Sequence, residues 1–105
     1  MNIPLEPIAV PLWEDEHGGL RVGKSRVQLE RVIAAHRQGA APATIIDMYP
    51  TLELADVYAV LAWVLRHPAE VEAYLRRRDE QAAELRRKLE ARRARQGPDD
   101  AAPAQ

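Results

Sequence analysis

Apolar residues recur at helical spacing in three successive runs in the middle of the chain. The first run predicts a helix over 28–38 that ends at Gly39, with an apolar side formed by Leu29, Val32, Ile33 and His36. The second predicts a short helix that begins at Pro42 and stops before Pro50. The third predicts the central core helix, over 54–66, whose apolar stripe consists of Leu54, Val57, Tyr58, Leu61, Val64 and Leu65. Because none of these helices can bury its apolar side alone, they are expected to pack on one another.

The segment before these helices predicts an extended arm and a β-hairpin. Residues 1–11 are apolar but are broken by prolines, which exclude a helix and a central strand. This arm is expected to lie on the domain or on a second copy of the chain. Residues 11–27 predict a hairpin, in which Gly18-Gly19 supplies the positive φ of a tight reversal.

A long helix is predicted after Pro68. The segment 68–96 has no internal Gly or Pro and is rich in Ala, Glu, Leu and Arg. Alternating steps of four and three place a heptad seam on it, formed by Val71, Leu75, Arg78, Ala82, Leu85, Leu89 and Arg92. The predicted fold is therefore mainly α: an arm (1–11), a β-hairpin plus three-helix, helix-turn-helix-like domain (12–66), a long basic C-terminal helix (67–96) and a disordered tail (97–105).

Charge is distributed unevenly along the 105 residues. The net charge is −1, yet residues 76–95 hold nine Lys/Arg against four Asp/Glu. The chain has no cysteine, which excludes disulfides and thiolate chemistry, and no apolar run of membrane-spanning length. Residues 1–11 do not have the pattern of a signal peptide, so a cytoplasmic protein is expected.

Candidate chemistry is sparse. Glu14-Asp15-Glu16-His17 could supply ligands for a divalent cation, but such neighbours do not converge in a hairpin, and a solvated tip is the favoured interpretation. The other histidines, His36 and His67, share no ligand spacing with His17. No nucleophile elbow or phosphate loop is present, so the sequence predicts no catalytic residue, no cofactor, no metal site and no enzyme.

The middle of the chain also carries turn and stop residues in a characteristic order: Gly39, Pro42, Tyr49-Pro50, Leu52, Leu54, Asp56 and Val57. With these residues the sequence up to Leu75 resembles the small bacterial family catalogued as domain of unknown function 433. Two positions depart from the family pattern, since Lys24-Ser25 stands where Gly-Thr is usual and Glu53 where a capping Thr or Ser is common. The third helix is therefore expected to rely on Thr51 or on water for its N-cap. The resemblance implies a compact helix-turn-helix-like domain that acts as the antitoxin of a ribonuclease toxin resembling PIN domains.

The resemblance and the charge distribution together suggest a role for the C-terminal helix. Toxins of that class are expected to hold Mg²⁺ with a ring of carboxylates, and a guanidinium from this helix could bind among them. The predicted toxin-binding residues are Leu75, Arg78, Ala82, Leu85, Arg86, Leu89 and Arg92. The alternative is a solvated helix whose arginines serve solubility and helix propensity.

Contacts with DNA are a separate expectation. The candidate phosphate-binding residues are Arg21, Lys24, Arg26, Arg31 and Arg37, with scattered solubilising charge as the alternative. The outward face of the third helix, where Arg66 is the basic residue, is a poor match to a major groove. A homodimer is expected from the apolar arm, the hairpin edge, Tyr58 and Trp63. The alternative function is a small helix-turn-helix-like transcriptional regulator or dimeric interaction scaffold without a toxin.

Overall fold

The computed structural model describes residues 2–96. The chain runs in the order β1 (Leu12–Glu14), β2 (Leu20–Val22), α1 (Leu29–Arg37), α2 (Pro42–Met48), α3 (Leu54–Arg66) and α4 (Pro68–Gln96). A short hairpin followed by four helices, the last of them 29 residues long, confirms the predicted fold class. The predicted disordered tail at 97–105 lies outside the described residues.

The strands β1 and β2 form an antiparallel pair with Leu12 opposite Val22 and Glu14 opposite Leu20. Only one glycine of the predicted pair has positive φ: Gly18, at +80°. The arm before the hairpin, residues 2–10, has no regular secondary structure and is exposed along its whole length.

A second tight turn leads from β2 into α1. Gly23 has φ +59°, and the amide of Ser25 donates to the carbonyl of Val22 at 3.1 Å, as in a β-turn with glycine at its first central position. The buried Ser25 hydroxyl donates to the same carbonyl at 2.6 Å and accepts from the Val27 amide at 3.1 Å. Lys24 is exposed. The departure from the family's Gly-Thr is therefore tolerated, because Gly23 supplies the positive φ and serine supplies the hydroxyl.

Local signals set the helix boundaries. Gly39 takes φ +95° directly after α1, and Pro42 stands at the start of α2, where its missing amide proton is not needed. At the start of α3, the side chain of Glu53 makes no capping hydrogen bond, as expected from the absence of Ser or Thr there. An acidic residue in the first turn, Asp56, favourably faces the positive end of the α3 dipole.

The buried side of α3 differs from the predicted stripe. The buried residues are Val57, Val60, Leu61 and Val64, whereas Leu54, Tyr58 and Leu65 are 45%, 58% and 68% exposed. The prediction was wrong for these three side chains and missed Val60, which is fully buried. Apolar residues surround most of α3, so spacing alone does not fix its rotation; the rotation is set by contacts with α1, α2 and β2.

The contacts divide the chain into two units, one ending at Val71 and one beginning at Glu72. The core of the first unit joins the end of β2 to α1, α2 and α3, and its fully buried side chains include Val22, Leu29, Val32, Ile45, Val57 and Val60. The second unit consists, within the described residues, of α4 from Glu72 onward. Among residues 2–96, no helix combines the length and the apolarity that crossing a bilayer requires.

Candidate binding surfaces

The hairpin tip is organised by Asp15, one of the residues that could supply a metal ligand on sequence grounds. Its carboxylate accepts hydrogen bonds from the amides of His17 and Gly19 and from Nε of Arg21, each at 2.9 Å. The Gly19 amide, then the His17 amide and the Arg21 guanidinium, lower the pKa of Asp15 to about 2. A solvated tip was therefore the wrong prediction for Asp15, which is buried and holds the turn together; Glu14, Glu16 and His17 are exposed.

These hydrogen bonds leave little at the tip to ligate a cation. His17 lies 3.6 Å from its neighbour Glu16, and both side chains are largely exposed. Within residues 2–96, no group of three or more histidines and carboxylates is arranged to hold a metal ion.

Three of the predicted DNA-contacting cations, Arg21, Lys24 and Arg26, lie on β2 or in the segment that directly follows it. The Arg21 side chain, 18% exposed, is held by Asp15 and also donates from Nη1 to the carbonyl of Arg26. The guanidinium of Arg26 lies 5.9 Å from the ring centroid of Trp13, which is 38% exposed. Lys24, which lies between Arg21 and Arg26 in the sequence, is exposed on the turn after β2. The hairpin therefore presents Lys24, Arg26 and Trp13 to solvent, while Arg21 acts within the fold.

The two predicted cations of α1 do not share one face. Arg31 and Arg37 are both exposed and are separated by six positions, which places them about 120° apart around the helix. Arg31 borders a shallow depression that also contains Gln28, Gln38 and Tyr49. The predicted five-residue set therefore does not form one continuous basic face on α1.

An apolar groove lies beside the turn between α1 and α2. It has a volume of about 460 Å³, and its walls are formed by the segment 39–42, by His36, and by Tyr58, Leu61, Ala62 and Leu65 of α3. Two of the three exposed members of the predicted α3 stripe, Tyr58 and Leu65, therefore line this groove instead of the core. We call this feature the α3 groove.

The predicted toxin-binding residues occur along α4 in two different settings. Leu75 and Arg78 are half-buried, and Arg78 donates to the amide oxygen of Gln81 at 2.8 Å. The remaining residues are exposed: Ala82, Leu85, Arg86, Leu89 and Arg92. Leu85 and Leu89 keep 58% and 51% of their surface accessible, so the C-terminal half of the seam has no cover within the described chain.

One cation of α4 already has a partner on the helix. Arg87 binds Glu84 at 2.6 Å, and this guanidinium, followed by Lys88, lowers the pKa of the Glu84 carboxyl. Sequence reasoning missed Tyr74, which is buried and lies under the guanidinium of Arg77 at 5.5 Å from the ring centroid. The spacing of Tyr74 three residues after Val71 is the signal that could have placed it on the seam side of α4.

The described residues thus form a short hairpin and four helices, the last of them long and basic. Residues 16–64 match the model of a family described as protein of unknown function (DUF433), which confirms the predicted resemblance. The comparisons with curated proteins and with solved structures gave no match.

Proposed function

We propose that this protein is an antitoxin-like binding protein that neutralises a PIN-like ribonuclease toxin through the C-terminal half of α4. The observation that carries the proposal is the exposed leucine pair on that helix. Leu85 and Leu89 are four positions apart and therefore lie on one face, and both are more than half exposed. Apolar side chains at this spacing are the anchors of helix-in-groove recognition.

The charges around this pair suit an acidic partner. At about 100° per residue, Arg86 and Arg92 lie on either side of Leu89, each about 60° away around the helix. Arg87 lies about 160° from Leu89, on the opposite face, where it binds Glu84. The leucine pair is thus bordered by two exposed guanidinium groups.

The proposed mechanism is competition for the toxin's carboxylates. A guanidinium stays charged at physiological pH and forms bidentate hydrogen bonds with a carboxylate, so it can occupy the position of a divalent cation without titrating away. The leucines would supply the desolvated contact that holds the arginines in place. The toxin would then lose its metal-binding geometry while it is bound.

The test is co-expression with a PIN-like nuclease encoded beside this gene, followed by pull-down and a ribonuclease assay. We expect Leu85→Glu with Leu89→Glu, and separately Arg86→Glu with Arg92→Glu, to abolish capture and to restore nuclease activity. Arg87→Gln is the matched control, because it removes a cation from the opposite face, and it should leave capture unchanged. A complex that keeps its affinity after deletion of residues 79–105 would refute the proposal.

The second candidate is a transcriptional regulator that binds DNA and has no toxin partner. It is favoured by the solvent-facing group of Lys24, Arg26 and Trp13 on the hairpin. Phosphate contacts by such cations release counterions, so affinity for a DNA duplex should fall steeply with salt. Lys24→Ala and Arg26→Ala should weaken binding and reduce the salt slope by about one each, whereas Arg66→Ala on α3 should not. Binding that is insensitive to salt would exclude this function.

A further inference from the structure

The N-terminal arm and the α3 groove are both apolar, and within residues 2–96 both are exposed. In the arm, Leu5 and Ile8 are 90% and 84% exposed. In the groove, Tyr58 and Leu65 are 58% and 68% exposed. Within the described residues the arm therefore does not fill the groove of its own chain, although the same molecule carries both surfaces.

The arm has the pattern of a polyproline II ligand. Prolines at 4, 7 and 11 favour this conformation, which has three residues per turn. Residues three apart then share an edge, so Leu5 and Ile8 lie on one edge while Pro4, Pro7 and Val10 lie on another. The charged residue of the arm, Glu6, falls on the third edge. Two of the three edges are thus apolar and can enter a groove while Glu6 stays in water.

The dimensions and chemistry of the groove fit this arm. Leu5 and Ile8 are about 9 Å apart in polyproline II, and Tyr58 and Leu65 are about 10 Å apart along α3. Grooves lined by aromatic side chains are the usual receptors for proline-rich extended segments, and Tyr58 supplies such a ring. The conformation imposed by the prolines also lowers the entropic cost of docking.

We propose that the arm of a second copy binds in the α3 groove, with Leu5 and Ile8 packed between Tyr58 and Leu65. Each molecule offers one arm and one groove, so a two-fold pair closes with two identical contacts and leaves neither surface open. This interaction needs no toxin and no DNA, and its test is independent of the proposed function.

The experiment is sedimentation velocity of the full chain over a concentration series. We expect the wild type to dimerise, and Leu5→Glu with Ile8→Glu, or Leu65→Glu alone, to raise the dimer dissociation constant by at least about tenfold, because each places a charge in a desolvated contact. All three positions are exposed, so circular dichroism of the variants should match the wild type. Leu89→Glu on α4 is the matched control and should dimerise like the wild type.

Mixing the variants provides the decisive readout. The arm variant keeps an intact groove and the Leu65→Glu variant keeps an intact arm, so the two together can form one of the two contacts. We expect the mixture to dimerise more tightly than either variant alone. A monomeric wild type, a dimer unaffected by the arm and groove variants, a dimer broken by Leu89→Glu, or a mixture no tighter than its components would each overturn the proposal.

Discussion

Gly23, which directly follows β2, lies close to Asp56 of α3, so the substitution Gly23→Ala tests the contact between these two elements. Its φ of +59° is one that side-chain-bearing residues rarely adopt, and a Cβ there would collide with the carboxylate of Asp56. Gly39 offers a matched comparison, because it has φ +95° but open space where a Cβ would stand. Gly23→Ala therefore combines backbone strain with a collision, whereas Gly39→Ala adds strain alone.

The expected magnitudes follow from these two terms. A non-glycine residue held at positive φ costs about 1–3 kcal/mol. Alanine also makes the unfolded chain stiffer than glycine does, and this offsets about 0.4–1 kcal/mol of the cost. The Cβ would also meet the carboxylate at the end of the Asp56 side chain, which has to move aside, and this adds about 1 kcal/mol, the low end of the cost of an overpacked contact. We therefore expect Gly39→Ala to lower the free energy of unfolding by about 1–2 kcal/mol and Gly23→Ala by about 2–3 kcal/mol. Asp56→Ala removes the obstacle, so the cost of Gly23→Ala should be smaller by about 1 kcal/mol in the Asp56→Ala background.

The assay is urea denaturation followed by tryptophan fluorescence. Trp13 and Trp63 are the two tryptophans of the chain and both lie before Val71, so the signal reports on the unit that contains Gly23. If Gly23→Ala costs the same with Asp56 present or replaced by alanine, the close approach contributes nothing and the reasoning is wrong. If Gly39→Ala is neutral, the strain term fails as well.

Two further predictions concern the core and the hairpin tip. Ile45→Ala should lower the free energy of unfolding by about 2–5 kcal/mol because Ile45 is fully buried. Leu65→Ala should change it by less than about 0.5 kcal/mol because Leu65 is exposed on α3. Equal losses in urea denaturation would mean that Leu65 is buried and would contradict the observed rotation of α3. The pKa of Asp15 is lowered from 3.8 to about 2, so its stabilising contribution is present above pH 3.8 and is lost as the pH falls through 2. Asp15→Asn should therefore lower the free energy of unfolding at neutral pH and make it depend less on pH between 3.8 and about 2. If the variant and the wild type lose stability equally as the pH falls through this range, the Asp15 carboxylate is not hydrogen-bonded as described.

Residues that act locally made most of the fold predictable. Gly39, Pro42 and Pro50 stop or start helices through their own backbone preferences, whatever surrounds them. The predicted helix over 54–66 agrees with α3 at both ends, and the predicted start of α4 at Pro68 is also confirmed. Such boundaries need no knowledge of tertiary contacts.

The features that escaped prediction depend on contacts between segments. In the sequence, nothing distinguishes Asp15 from the neighbouring carboxylates of Glu14 and Glu16. Only the folded turn brings the Gly19 amide and the Arg21 guanidinium within hydrogen-bonding distance of it. The same limit applies to Arg21: its charge suits a phosphate contact in the sequence, but the fold pairs its guanidinium with Asp15. Composition identifies charged groups but does not show which of them the fold already uses.

The misplaced stripe of α3 also bears on function. Leu54, Tyr58 and Leu65 are apolar, yet the fold buries the neighbouring face and leaves them at least 45% exposed. Packing of the first unit therefore does not require their apolarity, and the same holds for Leu85 and Leu89 in the second unit. Contiguous apolar surface that folding does not require marks sites of interaction. Because the two sets lie in different units, Leu65→Glu and Leu89→Glu should separate self-association from capture of a partner, and a variant that lost both together would show that a single surface serves both.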